Sequence, residues 1–203
     1  MSINTETGRK YDFYKNLIVP RGCHFIVRLD GNCFSRFTTR YNRPFDAEFY
    51  RAIAKSVKTL MVMVPDIYRV HFHSDEISAY FKKESEWFNR RVEKIISITS
   101  GILSSHFSLA VGADAHFDSR ILITPTKDDI EEYEKDRRLN AFRGCVNSYS
   151  FYKLVDIVGE KEATRFLETV DSKNRQEFLF QSFGINVAKL PKWQRVGEFF
   201  EWR

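Results

Sequence analysis

The segment Phe25-Ile26-Val27-Arg28-Leu29-Asp30-Gly31 is a short apolar run that ends in a carboxylate. Its β-branched and apolar residues are typical of a central strand covered on both faces, and Asp30-Gly31 is typical of the turn that ends such a strand. The segment therefore predicts the first strand of a sheet, Phe25 to Leu29, with an acidic side chain at its end.

The residues that follow predict a helix and then a β-hairpin. Asp46 is placed to cap a helix whose apolar residues recur at intervals of three and four. Ile67 to His73 and Glu76 to Phe81 flank the short break Ser74-Asp75, a pattern that predicts two paired strands. The tip of this hairpin carries a second acid.

A long helix from about Trp87 to Phe107 and a fourth strand, Arg120 to Ile123, complete a βαββαβ order. This is the order of ferredoxin-like domains. Its first and third strands are antiparallel neighbours, so Asp30 is predicted to lie beside Asp75 and Glu76.

The composition shifts toward helix after Pro125. Thr126 is placed to cap a charged helix that runs to Gly159, and Glu160 to Val170 and Gln176 to Phe183 predict further helices. Trp193 to Trp202 resembles a return strand or hairpin arm. We therefore predict an α+β fold: a palm-like catalytic core over residues 1–125 and a helical extension over 126–203, packed as one unit.

Composition sets broad limits on function. Lys and Arg number 32 against 27 Asp and Glu, a mildly basic balance that suits a polyanionic partner without requiring one. Cys23, Cys33 and Cys145 are too few and too scattered for a disulfide framework or a zinc site, so they are interpreted as ordinary buried thiols. The most apolar segment, Leu60 to Val64, is too short to span a bilayer. A soluble, cytoplasmic protein with no membrane partner is expected.

The predicted acidic pair points to metal chemistry. Two neighbouring carboxylates repel each other unless a cation or a shared proton lies between them. Oxygen ligands without a cluster of Cys or His favour magnesium, and Gly31 lets a backbone carbonyl approach the ion. Two magnesium ions on such a pair activate a hydroxyl and neutralise a triphosphate, the arrangement of polymerase-type palms.

Basic residues at the start of the long helix are candidates for holding a triphosphate. Trp87 to Lys94 contains Arg90, Arg91 and Lys94, and Arg91 and Lys94 share one helix face. A solvated basic face is the alternative. Arg120, which opens the fourth strand, is a further candidate for this anion cradle.

Two other groups of residues have a plainer interpretation. His71 and His73 project to one face of a strand, which is more often a half-buried sheet surface than a metal pair. The aromatics of the C-terminal part either stack bases or fill a core, and their helical spacing favours a core: Phe151, Tyr152, Phe166, Phe178, Phe180 and Phe183.

Four segments in the same order resemble motifs of the tRNA-His guanylyltransferase superfamily: Arg28 to Phe37, His73 to Ser78, Trp87 to Lys94 and Phe117 to Arg120. The resemblance is strong from about residue 8 to 125 and looser to the C-terminus. It implies a reverse-direction, 3′-to-5′ nucleotidyltransferase on a polymerase palm. In this reaction a 5′-monophosphorylated tRNA is activated with ATP or GTP, and the 3′-hydroxyl of an incoming nucleotide then attacks.

The resemblance also implies roles for individual residues. Asp30, the Gly31 carbonyl and Asp75 would hold two magnesium ions, with Glu76 as a third catalytic acid that supports them. Ser74 and Arg43 would lie near the nucleotide or the activated 5′ end. The remaining residues implied to contact the nucleotide or its triphosphate are Arg28, Asn32, Cys33, Phe34, Ser35, Arg91, Lys94 and Arg120.

Departures from the family pattern favour one branch. Eukaryotic guanylyltransferases carry a histidine where this chain has Ser35, and a His-Ile-Asn-Asn-Leu-Tyr-Asn segment where it has Phe142 to Ser148. Both departures favour the guanylyltransferase-like branch, whose members resemble template-dependent enzymes that repair tRNA 5′ ends. A strict guanylyltransferase that adds one G to histidine tRNA and a non-catalytic RNA-binding relative are the alternatives.

The expected partners are tRNA, nucleoside triphosphates and further copies of the chain, because the family is commonly tetrameric. Four basic residues would form an RNA-facing stripe, for which a solvated helix surface is the alternative: Arg137, Arg138, Arg143 and Lys153.

Overall fold

A computed structural model describes residues 14–202. The first residues of the family resemblance, 8–13, and Arg203 lie outside this range. The strands are β1 (His24–Gly31), β2 (Ile67–His73), β3 (Glu76–Phe81), β4 (Phe117–Thr124) and β5 (Glu198–Glu201). The α-helices are α1 (Phe34–Phe37), α2 (Ala47–Met63), α3 (Val92–Val111), α4 (Lys127–Val158), α5 (Glu160–Thr169), α6 (Ser172–Phe183) and α7 (Lys192–Arg195).

The five strands form one antiparallel sheet in the order β4-β1-β3-β2-β5. The predicted α+β class is confirmed. In the pairing of β1 with β3, Leu29 lies opposite Ile77, so the end of β1 meets the start of β3 as the sequence predicts. This register brings the two acidic segments to the same edge of the molecule.

The two faces of the sheet are covered by different helices. Phe25, Val27 and Leu29 point into the main core, where α2 and α3 pack. The alternate residues of β1 point to the other face, where Ile26 packs with Tyr80 and with Ile130 of α4. Arg28 and Asp30 share the α4 face with Ile26, so both charged side chains leave the core.

Strand β1 is longer than the predicted Phe25 to Leu29. Asp30 and Gly31 are part of the strand because they lie opposite Asp118 and Phe117 of β4. Periodicity within β1 alone does not show how far its partner extends. Asp30 is therefore held by strand pairing on a rigid element.

Helix α2 begins where predicted, since the Asp46 carboxylate accepts hydrogen bonds from the backbone N–H groups of Glu48 and Phe49. The prediction for the next helix was wrong at its start. Trp87–Arg90 is a 3-10 turn with positive φ angles, and α3 begins only at Val92.

The position of Arg90 explains this late start. Its side chain is buried and donates hydrogen bonds to the carbonyls of Val19, Pro20, Cys23, Lys83 and Ser85. Arg90 therefore ties the turn to the entry segment and does not belong to a triphosphate cradle.

Helix α3, Val92–Val111, is long and apolar enough to cross a membrane when judged by length and composition alone. Its buried residues Ile95, Leu103 and Phe107 pack in the main core under the sheet. A core helix passes the same test, so this match is weak support for a membrane span.

The C-terminal segment returns to the sheet as a single strand, which is one of the two predicted alternatives, and not as a hairpin arm. Only Glu198–Glu201 pairs, on the outer side of β2, and the short helix α7 precedes it. His71 and His73 hold this segment through hydrogen bonds between their Nε2 atoms and the carbonyls of Val196 (2.8 Å) and Gln194 (2.9 Å). The histidine pair is thus part of a sheet surface. The division at residue 125 stays a prediction.

Candidate active site

Two aspartates lie at the same end of the central strands. Asp30 is the penultimate residue of β1, and Asp75 lies in the two-residue turn between β2 and β3, where Ser74 has a φ of 53°. A Cβ atom added to Gly31 would lie 2.7 Å from Oδ2 of Asp75 and closer still to the ring of Phe34. The Asp75 carboxylate therefore packs directly against the Gly31 backbone, at the end of β1 that carries Asp30.

The negative charges of Asp30 and Asp75 are not fully balanced by neighbouring cations, because the pKa of each carboxyl is raised. Burial raises the pKa of Asp30, and the carboxylates of Glu76 and Asp118 raise it further. Burial also raises the pKa of Asp75, with Asp30 and Glu76 adding to the shift. Ionised Asp30 makes Asp75 more costly to ionise, and Glu76 does the same to both aspartates, a condition that a bound cation relieves.

Glu76 is engaged by two arginines. Arg28 donates to one carboxylate oxygen at 2.5 Å, and Nη1 of Arg137 lies 3.1 Å and 3.4 Å from the two oxygens. The carboxylate of Glu76, next to Asp75 in the sequence, is therefore already paired with the guanidinium groups of Arg28 and Arg137.

The donor set fits magnesium. Within residues 14–202, no group of three or more His, Cys, Asp or Glu side chains is arranged to hold a metal ion. Magnesium needs no such group, because it keeps several waters and binds through one or two carboxylates together with substrate phosphates. Asp30, Asp75 and the Gly31 carbonyl offer only hard oxygen donors, and the raised pKa values indicate charge that a cation would stabilise.

We expect Asp75→Asn to raise the melting temperature of the metal-free protein at pH 7. The pKa of Asp75 is higher in the folded state, so ionisation penalises the fold as pH rises from about 3.9, the unfolded value, through the folded pKa. Asparagine removes this penalty, and the melting temperature should rise by about 2–4 °C for each kcal/mol of repulsion that is relieved. Thermal unfolding of both proteins from pH 4 to 8 checks it. The difference should shrink toward pH 4, and a lower melting temperature for the variant at pH 7 would contradict it.

The predicted triphosphate-binding residues lie on separate elements, with Arg91 paired to Ile18 of the entry segment and Arg120 on β4. Arg91 precedes α3 and pairs with Glu93, while Lys94 is exposed on the first turn. Arg120 lies opposite Arg28 on β4 and is 3.7 Å from Asp118. Arg91, Lys94 and Arg120 are partly or fully accessible, unlike Arg90.

The segment after β1 divides between surface and core. Asn32, Cys33 and Ser35 are exposed, so the interpretation of Cys33 as a buried thiol was wrong. Cys33 adopts a left-handed φ of 59° where the chain turns from β1 into α1, which keeps its side chain at the surface. Phe34 is 3% exposed and packs against Phe37, Phe49, Phe107 and Phe117. The structure thus places Phe34 as a support beneath Gly31.

A cavity of about 300 Å³ opens beside Ser74. Arg43 lies on its wall, where the guanidinium stacks 4.9 Å from the centre of the Tyr152 ring and donates to its hydroxyl. The other walls were missed at the sequence level, because they are aromatic residues from separate segments that only the fold brings together: Tyr41, Phe45, Tyr50 and Trp193. Tyr50 and Trp193 stack at 4.5 Å.

The proposed RNA-facing stripe is not one surface. Arg138 and Arg143 are exposed on α4, and Lys153 is half-buried. Arg137 points inward to Glu76, with its side chain only 13% exposed. Among the aromatics, Phe151 and Phe178 pack in a small core, whereas Phe180 is 52% exposed.

Known proteins resemble the chain over most of its length. The family model described as "Thg1: tRNAHis guanylyltransferase" matches residues 5–125. "Probable tRNA(His) guanylyltransferase" of Mus musculus is 26% identical over 96% of this chain and 71% of the mouse protein. The Drosophila melanogaster protein of the same name is 28% identical over 85% of this chain, which spans 64% of that relative.

Solved structures share the fold. The tRNA(His) guanylyltransferase of Saccharomyces cerevisiae superposes with a TM-score of 0.88 at 22% identity, covering 98% of this chain and 93% of the yeast chain. A bacterial Thg1-like protein in complex with ATP gives 0.87 at 24% identity, covering 98% and 88%. At these identities the likeness concerns the fold alone.

Proposed function

Because the chain belongs to the tRNAHis guanylyltransferase family, we propose that it is a magnesium-dependent nucleotidyltransferase that extends RNA at its 5′ end. Its substrate class is tRNA with an incomplete 5′ end, which it rebuilds in the 3′-to-5′ direction by pairing with the opposite strand. The observation that carries this proposal is the contact of Asp75 with Gly31 beside Asp30, next to an aromatic cavity.

The fold supports a polymerase-palm assignment. The two aspartates stand on neighbouring antiparallel strands of a βαββαβ unit, one within a strand and one in a hairpin turn. Such placement holds both carboxylates on rigid elements while the edge of the sheet stays open to a nucleotide. Magnesium bound there would neutralise the phosphates and promote ionisation of the attacking hydroxyl.

The reaction has two transfers. A 5′-phosphate oxygen of the tRNA attacks the α-phosphorus of ATP and pyrophosphate leaves. The 3′-hydroxyl of an incoming nucleotide then loses its proton and attacks the activated 5′-phosphorus, and AMP leaves. Asp30 and Asp75 would hold magnesium, which would neutralise charge at the reacting phosphates, and Arg91, Lys94 and Arg120 hold the triphosphate.

The cavity beside Ser74 suits a nucleoside. Aromatic walls stack any base, because every base has a π-face, and Arg43 at the mouth offers a cation to a phosphate. Structures of a bacterial Thg1-like protein have been solved in complex with ATP and with GTP. We extend both nucleotides to this chain as substrates, and we keep the tetramer of the family resemblance as its expected assembly.

The proposal predicts template-dependent extension. A tRNA lacking its first 5′ nucleotides should, with ATP, all four NTPs and magnesium, gain only nucleotides that pair with the 3′ strand. Sequencing of the products reads the added bases. Changing a base of the 3′ strand should change the added base, and the absence of any extension in magnesium would overturn the proposal.

A second candidate is addition of a single G to histidine tRNA, since the mouse and fly relatives are named probable tRNA(His) guanylyltransferases. This candidate predicts addition from GTP alone, at a position without a pairing partner, on histidine tRNA only. A non-catalytic RNA-binding relative would bind tRNA and add nothing. The same assay, repeated with GTP as the only nucleotide, separates the three outcomes.

A further inference from the structure

A chain of three ion-paired side chains connects helix α4 to the acidic pair. Glu76 lies between Arg28 of β1 and Arg137 of α4, and both arginines contact its carboxylate. The side chains of Arg28, Glu76 and Arg137 are 22%, 29% and 13% exposed. They are therefore shielded enough for their pairing to matter more than that of a surface salt bridge.

Arg28 has two carboxylates within its reach. It is two residues from Asp30 on the same strand, so both side chains leave the same face of the sheet. In the structure the Nη2 atom of Arg28 donates a hydrogen bond to Oε2 of Glu76 at 2.5 Å. If Glu76 were free to move, the Arg28 guanidinium would be released to pair with Asp30, whose pKa it already lowers.

Arg137 is fixed from several sides. Its guanidinium lies over the ring of Tyr133, 5.5 Å from the centre, and pairs with Asp136 on the same helix. The Tyr133 hydroxyl in turn contacts the Ser78 hydroxyl of β3 at 2.8 Å. Arg137 therefore holds Glu76 from a rigid helix that is anchored to the strand on which Glu76 lies.

We propose that Arg137 is a positioning residue: it holds Glu76 against Arg28 and thereby keeps Asp30 open for a divalent cation. This inference deepens the proposed function, because it concerns the same metal site. It also assigns Arg137 a role inside the protein and removes it from the RNA-facing stripe.

Mn²⁺ binding, followed by electron paramagnetic resonance without nucleotide or RNA, tests the inference. Arg137→Met should weaken Mn²⁺ binding by about 10-fold, the usual scale for residues that support metal ligands. Adding Arg28→Met to that variant should restore the affinity, because the competing cation is gone. Arg137→Lys should stay within about 3-fold of the wild type, since one charged hydrogen bond to Glu76 remains.

Lys135→Met is the matched control, since Lys135 is an exposed cation two residues away on the same helix. It should leave Mn²⁺ affinity unchanged. Tighter Mn²⁺ binding in Arg137→Met would mean that the arginine acts only as a repelling charge and would overturn the inference. Failure of Arg28→Met to restore affinity would do the same.

Two further measurements keep the test decisive. If Arg137→Met does not fold, Glu76→Gln should weaken Mn²⁺ binding and Arg28→Met should again restore it. Binding of tRNA in EDTA should be the same for Arg137→Met and wild type, whereas a residue on the RNA surface would lower it. None of these measurements needs turnover, so they remain informative if nucleotide addition itself fails.

Discussion

Replacing Asp30 or Asp75 by alanine should lower the rate of 5′ nucleotide addition by roughly 10³-fold, because a lost metal ligand should cost more than the 10- to 100-fold typical of its supporting residues. Each carboxylate is placed to hold a divalent cation, which would supply positive charge at the reacting phosphates. The measurement is single-turnover extension of a 5′-truncated tRNA at saturating magnesium. Affinity for tRNA in EDTA should change little, since neither aspartate attracts an RNA phosphate.

Asp114→Ala is the control for the loss of a carboxylate at the surface, because Asp114 is exposed in the loop before β4. It should extend tRNA at the wild-type rate. Full activity in either Asp30→Ala or Asp75→Ala would contradict the assignment of the pair as the catalytic centre.

Gly31→Ala should lower both activity and stability. The new methyl group would meet the Asp75 carboxylate at 2.7 Å and the Phe34 ring at an even shorter distance. Phe34 cannot yield easily, since four aromatic rings surround it. We expect a loss of about 1–3 kcal/mol in unfolding free energy from overpacking. A displacement of Asp75 near 1 Å would lower the rate by roughly 10²-fold.

Gly101→Ala provides the comparison. Gly101 lies in helix α3, and an added Cβ there meets no atom within 4 Å. The substitution should stabilise the protein slightly, by roughly 0.5–1 kcal/mol, through helix propensity, and leave activity unchanged. Urea unfolding and single-turnover rates for both variants check the pair. Equal behaviour of the two alanine variants would show that the close packing at Gly31 has no role.

The sequence predicted the parts of the fold that depend on local pattern. The predicted bounds of the hairpin strands, Ile67–His73 and Glu76–Phe81, match the observed ones. Residue alternation and a two-residue break are both local signals, so the sequence alone shows them. The Asp46 cap was predictable for the same reason. The order of elements also predicted that the end of β1 lies beside the start of β3, which the strand register confirms.

Other features depend on contacts between distant segments. The buried side chain of Arg90 donates to carbonyls about 70 residues away in the sequence. No local pattern shows these partners, and the basic side chain was therefore interpreted as a triphosphate ligand. Arg137 is similar, since its partner Glu76 is 61 positions away. From sequence alone, a basic residue in a helix is interpreted as exposed to solvent, because only the fold shows which carboxylate it faces.

The aromatic cavity had no signal in any single segment. Tyr41, Tyr50, Tyr152 and Trp193 come from a loop, two helices and the C-terminal segment, so only the fold brings them together. The Trp193 position depends on β5 pairing with β2 and on the histidine contacts that hold the C-terminal segment.

Metal binding by the acidic pair is the claim on which the account depends. Electron paramagnetic resonance of Mn²⁺, titrated with a non-hydrolysable ATP analogue present, measures this binding without turnover. We expect two bound ions in the wild type and loss of binding in Asp30→Asn and Asp75→Asn, with both variants folded by circular dichroism. Unchanged Mn²⁺ binding in either variant would contradict the account.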